Sequence, residues 1–151
     1  MSKLISLIQK KFPSRSGFTL LELLVVVSIV GILIAISAAA FSTAQKKSRD
    51  ARRRGDIKTL QNAFEQYNSL NSGAYAAACS TMTSYSGTTI LPGGIPVDPK
   101  TGVTYTCTSS TTSYCACAEL DGGYGNAATA DCSAIGAQSS SYDYYCLKNL
   151  Q

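Results

Sequence analysis

Two features that can do chemistry stand together where a polar leader meets a long apolar run, in the sequence SGFTLLE at 16–22. The first is Glu22, the only charged residue between 18 and 44. A carboxylate inside an apolar helix costs about 2.5–3.5 kcal/mol on insertion scales, so it needs a partner. No other residue of the run is charged. We therefore expect the partner to be a group of another chain, or an amine that cleavage of this chain creates.

The second feature is Gly17, which ends a leader, residues 1–17, with four Lys or Arg and no acid. Pro13 interrupts any helix in this leader. The short segment Ser-Arg-Ser-Gly at 14–17 is small and flexible. A protease beside a membrane needs an extended backbone of this kind, so the leader is a suitable peptidase substrate.

These residues resemble the processing motif of type IV pilins and type II secretion pseudopilins. In that family a membrane peptidase cuts after the glycine and methylates the new N-terminal residue. The resemblance implies a cut between Gly17 and Phe18, with Phe18 becoming N-methylphenylalanine. It also implies that Glu22 meets the N-terminal amine during filament assembly. The motif covers the first third of the chain, and the turn at 95–105 resembles the family more loosely.

The resemblance further implies a structural, major-pilin-like subunit rather than an enzyme. Its partners would be identical subunits in a helical filament, a prepilin peptidase and methyltransferase, an inner-membrane assembly platform, and membrane lipid before assembly. The precursor would cross the cell membrane once, with its leader cytoplasmic and its head outside. The filament would be a cell-surface pilus or, as the first alternative, a periplasmic secretion pseudopilus.

The apolar run at 18–44 is long enough to cross a membrane, which takes about 20 residues. An ordinary signal peptide cut near 38–40 also fits this run, but its apolar core would be unusually long. An anchor that is never processed fits too, and would make the chain a membrane-anchored binding module. Neither alternative explains both Gly17-Phe18 and Glu22.

Charge counting opposes this topology. The leader carries four Lys or Arg, whereas the opposite flank carries seven by Lys58. The positive-inside rule alone therefore predicts a cytoplasmic C-terminus. We place the C-terminal region outside, because it is rich in cysteine and because the cleavage motif requires a cytoplasmic leader.

No proline stands between Pro13 and Pro92, so one helix can run from Phe18 to Leu70. Its second half is amphipathic, and the apolar face has the 3–4 residue spacing of a helix. That face comprises Ile57, Leu60, Ala63, Phe64, Tyr67 and Leu70. The chain thus divides into a leader at 1–17, a membrane and assembly half-helix at 18–44, an amphipathic half-helix at 45–70 and a β-rich head at 71–151. The predicted fold class is α+β, a long N-terminal helix packed on a small antiparallel sheet with disulfide-rich loops.

Within the head, Asn71-Ser72-Gly73 predicts the end of the helix, and residues 74–94 have the composition of a loop. Residues 98–102 predict a turn. Alternating apolar and polar residues predict a strand at 103–108, and 114–120 can return as a second strand. Residues 142–148 are a weaker candidate for a third.

The last half of the chain holds six cysteines: Cys79, Cys107, Cys115, Cys117, Cys132 and Cys146. The whole sequence has no histidine. This even count favours disulfides in an oxidising compartment over zinc, since paired C-x-x-C spacings and histidine are missing. Six cysteines allow about 15 pairings. Cys107 with Cys115 or Cys117 is plausible across the predicted hairpin. Cys132 with Cys146 would close a C-terminal loop like that of many pilins.

The net charge is +4, and removal of the leader makes the chain neutral. Residues 46–58 hold seven basic residues against two acids, whereas 59–151 is acidic. Lys46, Lys47, Arg49 and Arg52–Arg54 could bind DNA or lipid phosphate. We favour a solvated helix face that meets acidic heads of neighbours, with charge pairs Arg52/Asp56 and Asp50/Arg54 on its surface; DNA binding is not predicted.

Four carboxylates in the head could supply oxygen ligands for Ca²⁺: Asp98, Asp121, Asp131 and Asp143. Major pseudopilins often bind calcium in a C-terminal loop, but EF-hand spacing is missing here. We favour solvated turn aspartates, with no cofactor required. Catalysis is not indicated either, since the chain lacks histidine, a G-x-S-x-G motif and a phosphate-binding loop.

Overall fold

The computed structural model describes residues 17–150. The predicted leader, apart from Gly17, lies outside the described residues. The described chain divides into two units, with the boundary between residues 40 and 41, and each is described by itself. The α+β fold predicted from the sequence is confirmed.

One long helix, α1 at Leu20–Leu70, begins in the first unit and ends in the second. Within the first unit most of its side chains are apolar, and they are exposed: each large apolar residue there is at least 45% exposed. By length and composition α1 could cross a membrane. The predicted helix stop is confirmed: Gly73 N–H donates to Asn68 O at 3.0 Å, and Gly73 has a φ of +87°, which glycine adopts without penalty.

The second unit adds two small antiparallel sheets to the helix. A 3-10 turn at Thr81–Thr83 leads into a hairpin of β1 (Ser84–Tyr85) and β2 (Thr88–Thr89). The larger sheet has the order β3-β4-β5 and consists of Thr106–Ser109, Tyr114–Glu119 and Tyr144–Lys148. The three predicted strands are therefore present, although β3 starts three residues late, after an isolated bridge between Val97 and Thr104. The hairpin within the predicted loop was not expected.

The core of the second unit forms between α1 and the central strand β4. Ile57, Leu60 and Phe64 are almost completely buried. The Phe64 ring stacks on Tyr114 with centroids 4.2 Å apart. Burial of side chains of this size stabilises a fold by roughly 1.5–3 kcal/mol each. Leu70 is 44% exposed, so its predicted place on the apolar face is wrong. The helix ends there and the chain turns away.

The central strand β4 is buried on both faces. Tyr114, Ala116 and Ala118 contact the helix core. The alternate residues Cys115 and Cys117 belong to a second cluster, with cysteines and alanines of the C-terminal loop and β5. This alternation follows from the two-residue period of a strand. The sheet is therefore covered by the helix on one side and by a disulfide-bonded loop on the other.

Candidate functional site

The predicted cleavage position lies in open space at the start of the described chain. Phe18 is 78% exposed, and a side chain placed on Gly17 would meet nothing within 4 Å. Neither residue belongs to α1, which begins at Leu20. The peptide bond between them is therefore free to enter a protease as extended backbone.

Glu22 has a local partner that the sequence reasoning missed. The hydroxyl and the backbone N–H of Thr19 donate to Glu22 Oε2 at 3.1 and 3.3 Å. In return, the backbone N–H of Glu22 donates to Thr19 Oγ1 at 3.2 Å. This reciprocal pair is a capping box, and the spacing of a threonine three residues before a glutamate could have revealed it.

The capping box corrects the prediction that Glu22 finds partners only in other chains or in a newly formed amine. Its carboxylate is hydrogen-bonded, but Thr19 supplies no cation to pair with it. The positive end of the helix dipole favours an anion in this first turn. Cleavage after Gly17 would place a new amine on Phe18, the residue directly before Thr19. Such a cleavage would put this amine four residues before the Glu22 carboxylate in sequence.

The basic segment of α1 contains a buried ion cluster. The side chain of Arg53 is only 4% exposed. Its Nε donates to Asp98 Oδ2 at 2.5 Å and its NH1 donates to Asp50 Oδ1 at 2.9 Å. Asp121 Oδ1 lies 3.4 Å from the same NH1. A single arginine thus joins the helix to the 98–102 turn and to the loop that follows β4.

Further contacts complete this cluster. Asp50 accepts hydrogen bonds from the backbone N–H groups of Asp121 at 2.8 Å and Gly122 at 2.9 Å. Asp121 also pairs with Arg49 NH2 at 2.7 Å and Lys100 Nζ at 3.0 Å. The buried charges are therefore compensated within one head, as burial of ions requires.

The carboxylates of the cluster have shifted pKa values. The hydrogen bond from Arg53 is the main cause that holds the pKa of Asp98 well below its usual range. Burial alone would raise the pKa of Asp121, but hydrogen bonds from Lys100 and Arg49 and the charge of Arg53 lower it to about 2. Both groups are consequently charged at neutral pH.

These contacts correct two predictions for the basic segment. A solvated face is wrong for Arg49 and Arg53, which bind acids of their own head. The predicted pair of Asp50 with Arg54 is also wrong. Arg54 NH2 instead donates to the carbonyl of Tyr124 at 2.7 Å. The predicted pair of Arg52 and Asp56 is present, at 4.0 Å on the surface.

The four carboxylates proposed for calcium do not form one group. Asp98 and Asp121 meet at Arg53, and Asp98 also caps its turn by accepting from Lys100 N–H. Asp131 accepts bonds from Thr129 and Ser133 in the C-terminal loop. Among residues 17–150, three acidic side chains do not come close enough together to hold a metal ion. Calcium binding is not tested by the structure. The favoured alternative of solvated turn aspartates is wrong for Asp98 and Asp121, whose side chains are only 13% and 14% exposed.

All six cysteines are paired, but not as the hairpin argument expected. The disulfides join Cys79 to Cys107, Cys115 to Cys132, and Cys117 to Cys146. The predicted pairings of Cys107 with β4 and of Cys132 with Cys146 are wrong. Cys107 lies opposite Ala116, whereas Cys117 lies opposite Cys146 on the other neighbouring strand. The sulfurs of Cys115, Cys117 and Cys132 lie within 4.8 Å of one another but belong to disulfides.

Glu65 is a second anchoring acid that the sequence reasoning missed. Its carboxylate accepts hydrogen bonds from the hydroxyls of Tyr114 at 2.8 Å and Tyr75 at 3.1 Å, and from Leu150 N–H at 3.1 Å. Burial first, and then this carboxylate, raise the pKa of Tyr114. No local spacing marks these partners, which lie up to 85 residues away in sequence.

Comparison with known proteins supports the N-terminal motif. Residues 13–38 match the family model of the prokaryotic N-terminal methylation motif. Over 55 residues the N-terminal region is 39% identical to the type IV major pilin protein PilA of Myxococcus xanthus (strain DK1622). The match covers 36% of this chain and a quarter of that relative. No solved structure matches the chain significantly. An N-terminal methylation motif is therefore present at residues 13–38, in a region similar to a major pilin. The roles of Gly17, Phe18 and Glu22 stay predictions.

Proposed function

We propose that this chain is the precursor of a structural subunit of a type IV pilus-class filament. A prepilin peptidase removes residues 1–17 and methylates the amine of Phe18. An assembly platform in the inner membrane then takes the helix out of lipid and packs it among identical subunits. The mature chain acts as a building block and carries out no catalysis.

The observation that carries this proposal is an open apolar half-helix with one fixed carboxylate at its start. Every large apolar side chain from Phe18 to Phe41 is at least 45% exposed. Exposure of such a large apolar surface to water is unfavourable, so lipid or other copies of the helix must cover it. Glu22 is held in the first turn by Thr19, where it is available to meet a cation of a neighbouring chain. The methylation motif and the similarity to a major pilin support the same function.

Two contributions to the free energy then drive assembly. Packing of the apolar halves against one another replaces their contact with lipid. The Glu22 carboxylate and the Phe18 amine neutralise each other between chains, which offsets the cost of a buried charge. A subunit whose amine and carboxylate do not pair leaves that cost uncompensated, so the pairing selects the correct axial offset between neighbours.

A secretion pseudopilus is the alternative within the same class of filament. It shares the cleavage motif, the methylated N-terminus and the apolar half-helix, and differs in where the filament ends. A membrane-anchored binding module that is never processed is the second alternative, and it would keep residues 1–17.

Intact mass measurement tests the proposal. The protein is compared from the membrane and from the sheared surface fraction. A subunit that has lost residues 1–17, gained one methyl group and lost six hydrogens to three disulfides would support it. A membrane form that keeps its leader and free thiols would overturn it. A processed form found only in the periplasm would assign the chain to a pseudopilus.

The role of Glu22 is tested by Glu22→Ala, with Ser37→Ala as a matched control. Ser37 is also a polar residue of the apolar half, but its hydroxyl donates to the carbonyl of Leu33 in its own helix. We expect Glu22→Ala to be cleaved and methylated yet to yield few filaments, whereas Ser37→Ala assembles normally. Normal filaments from Glu22→Ala would exclude the proposed charge pairing.

A further inference from the structure

We propose that a basic groove at the start of the second unit binds the headgroup of an anionic phospholipid before assembly. The groove is formed by Lys46, Lys47 and Arg54 of α1 and by the loop around Tyr124. This inference rests on the proposed membrane-anchored precursor, because only that state holds the groove near lipid. Its occupant is defined by chemistry, a phosphate with an adjoining apolar chain.

The groove has a volume of about 370 Å³ and is open to solvent on one side. One wall is the part of α1 from Thr43 to Arg54, about three turns long, and the other is the loop that leaves β4. The lining residues are Thr43, Lys46, Lys47, Asp50, Ala51, Arg54, Gly122, Gly123 and Tyr124. The wall from the loop carries no side chain at Gly122 and Gly123.

The two lysines are the cations of the basic segment that the fold leaves unused. Arg49 and Arg53 bind the acids of the buried cluster. Within residues 17–150, no acidic side chain lies within ion-pair distance of Lys46 or Lys47. Both lysines are exposed. Their charge is thus available to an outside anion.

Arg54 and Tyr124 give the groove a fixed wall. Arg54 NH2 donates to the Tyr124 carbonyl at 2.7 Å, and its guanidinium lies 5.1 Å above the Tyr145 ring. Tyr124 has a φ of 64°, a left-handed conformation that is unusual for a tyrosine. Its side chain is nevertheless 60% exposed. Tyrosine is enriched at membrane interfaces, where the ring contacts the acyl boundary and the hydroxyl contacts water.

Two carboxylates lie near the groove but do not cancel its charge. Asp50 lines the groove, and its oxygens already accept bonds from Arg53 and from two backbone N–H groups. Asp143 lies at the edge, with its Oδ1 3.9 Å from the position that a Cβ on Gly123 would occupy. Neither carboxylate lies within ion-pair distance of Lys46 or Lys47, so it does not neutralise them.

The position of the groove along the chain favours lipid over other anions. Lys46 and Lys47 follow the apolar run at 18–44 by two and three residues. A helix rises about 1.5 Å per residue, so these lysines stand within about 5 Å of the end of that run. This is the level of lipid headgroups. Each lysine near an anionic surface raises the bound-to-free ratio roughly fivefold at low salt.

Fluorescence of a single tryptophan tests the inference, because the natural chain contains none. The full chain with Tyr124→Trp is reconstituted in vesicles of phosphatidylcholine, with or without one-third phosphatidylglycerol. A trace of lipid with a spin label on its headgroup quenches tryptophan that lies at the surface. We expect strong quenching only with phosphatidylglycerol. The quenching should be lost at about 1 M salt, where charges interact only over a Debye length of about 3 Å.

Charge-matched variants then locate the contact. Lys46→Gln with Lys47→Gln should reduce the bound-to-free ratio of the groove by roughly 20-fold or more. The control, Arg52→Gln with Lys148→Gln, removes the same charge outside the groove and should leave quenching unchanged. Equal losses in both double variants would overturn the site and leave only a general charge effect.

Three further outcomes would also overturn the inference. Equal quenching in both lipids would show that the groove does not select anions. Quenching that grows with the protein-to-lipid ratio in neutral vesicles would assign the groove to a second copy of the chain. A chain that does not float with neutral vesicles would refute the membrane-anchored precursor itself. A chain that floats, but whose quenching does not depend on phosphatidylglycerol, would refute this inference alone.

Discussion

Arg53 and Asp98 stand 45 residues apart in the chain, yet a hydrogen bond of 2.5 Å joins Nε of one to Oδ2 of the other. The arginine is nearly fully buried, and the aspartate also holds the turn that leads into the sheet. This contact fixes the helix to the head by charge. The stability of the head therefore depends on a charged residue that lies among exposed ones in the sequence.

Replacement of Arg53 should destabilise the head far more than replacement of its neighbour. Arg53→Gln leaves Asp50, Asp98 and Asp121 close together without their central cation. Loss of one partner from a buried ion pair costs about 3–5 kcal/mol. The measurement is the free energy of unfolding in urea, with tyrosine near-UV circular dichroism of the full chain in mild detergent.

Arg52→Gln is the matched control. Arg52 is 65% exposed and pairs with Asp56 at 4.0 Å, so its loss should cost less than about 1 kcal/mol. Equal effects of the two variants would show that the Arg53 cluster does not stabilise the head.

Acid should weaken the head between about pH 5 and pH 2. The pKa of Asp121 is about 2 in the folded chain, and that of Asp98 is also lowered, whereas an unfolded aspartate has a pKa of about 3.9. The unfolded chain thus binds more protons in this range. The stabilisation is complete only above about pH 5 and is lost as the pH falls, by up to about 1.4 kcal/mol per pH unit for each carboxylate.

Urea unfolding at a series of pH values measures this slope. Arg53→Gln should flatten it, because the arginine is the cation shared by both carboxylates. A smaller slope should remain, since the pKa of Asp131 is lowered by Ser133 and Thr129, outside the cluster. A slope unchanged by Arg53→Gln would contradict the assignment.

Gly125→Ala should displace the C-terminal loop from β5. A Cβ on Gly125 would lie 2.0 Å from the backbone oxygen of Tyr144, which cannot move without breaking the strand. We expect a loss of about 3 kcal/mol in the free energy of unfolding, as for severe overpacking. At Gly136 the nearest atom to a Cβ is 3.9 Å away, so Gly136→Ala should be neutral. A neutral Gly125→Ala would mean that the loop does not approach Tyr144 so closely.

The disulfide between Cys79 and Cys107 should stabilise the segment that carries the small hairpin. It joins that segment to β3 across a sequence separation of 28 residues. Replacement of both cysteines by serine should cost roughly 3 kcal/mol, because the unfolded chain gains freedom. Mass spectrometry of unreduced peptic fragments checks the connectivity. A fragment that links Cys107 to Cys115 or Cys117 would contradict the structure.

Local patterns in the sequence were sufficient for much of this protein. The apolar run and the proline-free stretch determine one long helix. Asn71-Ser72-Gly73 determines its end, since only a residue that tolerates a positive φ can close it. Helical periodicity identified Ile57, Leu60 and Phe64 as core residues. Each of these signals depends on residues a few positions apart, which the chain itself keeps close.

The tertiary structure alone decided which distant groups meet. Arg53 stands four residues before Ile57, at the spacing of the buried face, but nothing in the sequence indicated the acids that it meets. The sequence predicted that Cys117 could pair with Cys107 across the hairpin of β3 and β4. However, β4 is the central strand, and Cys146 lies opposite Cys117 on β5. Glu65 likewise gains tyrosine partners only when α1 packs on the sheet. Ion pairs and disulfides depend on distances across packed elements, whereas composition and periodicity report only what the backbone brings together locally.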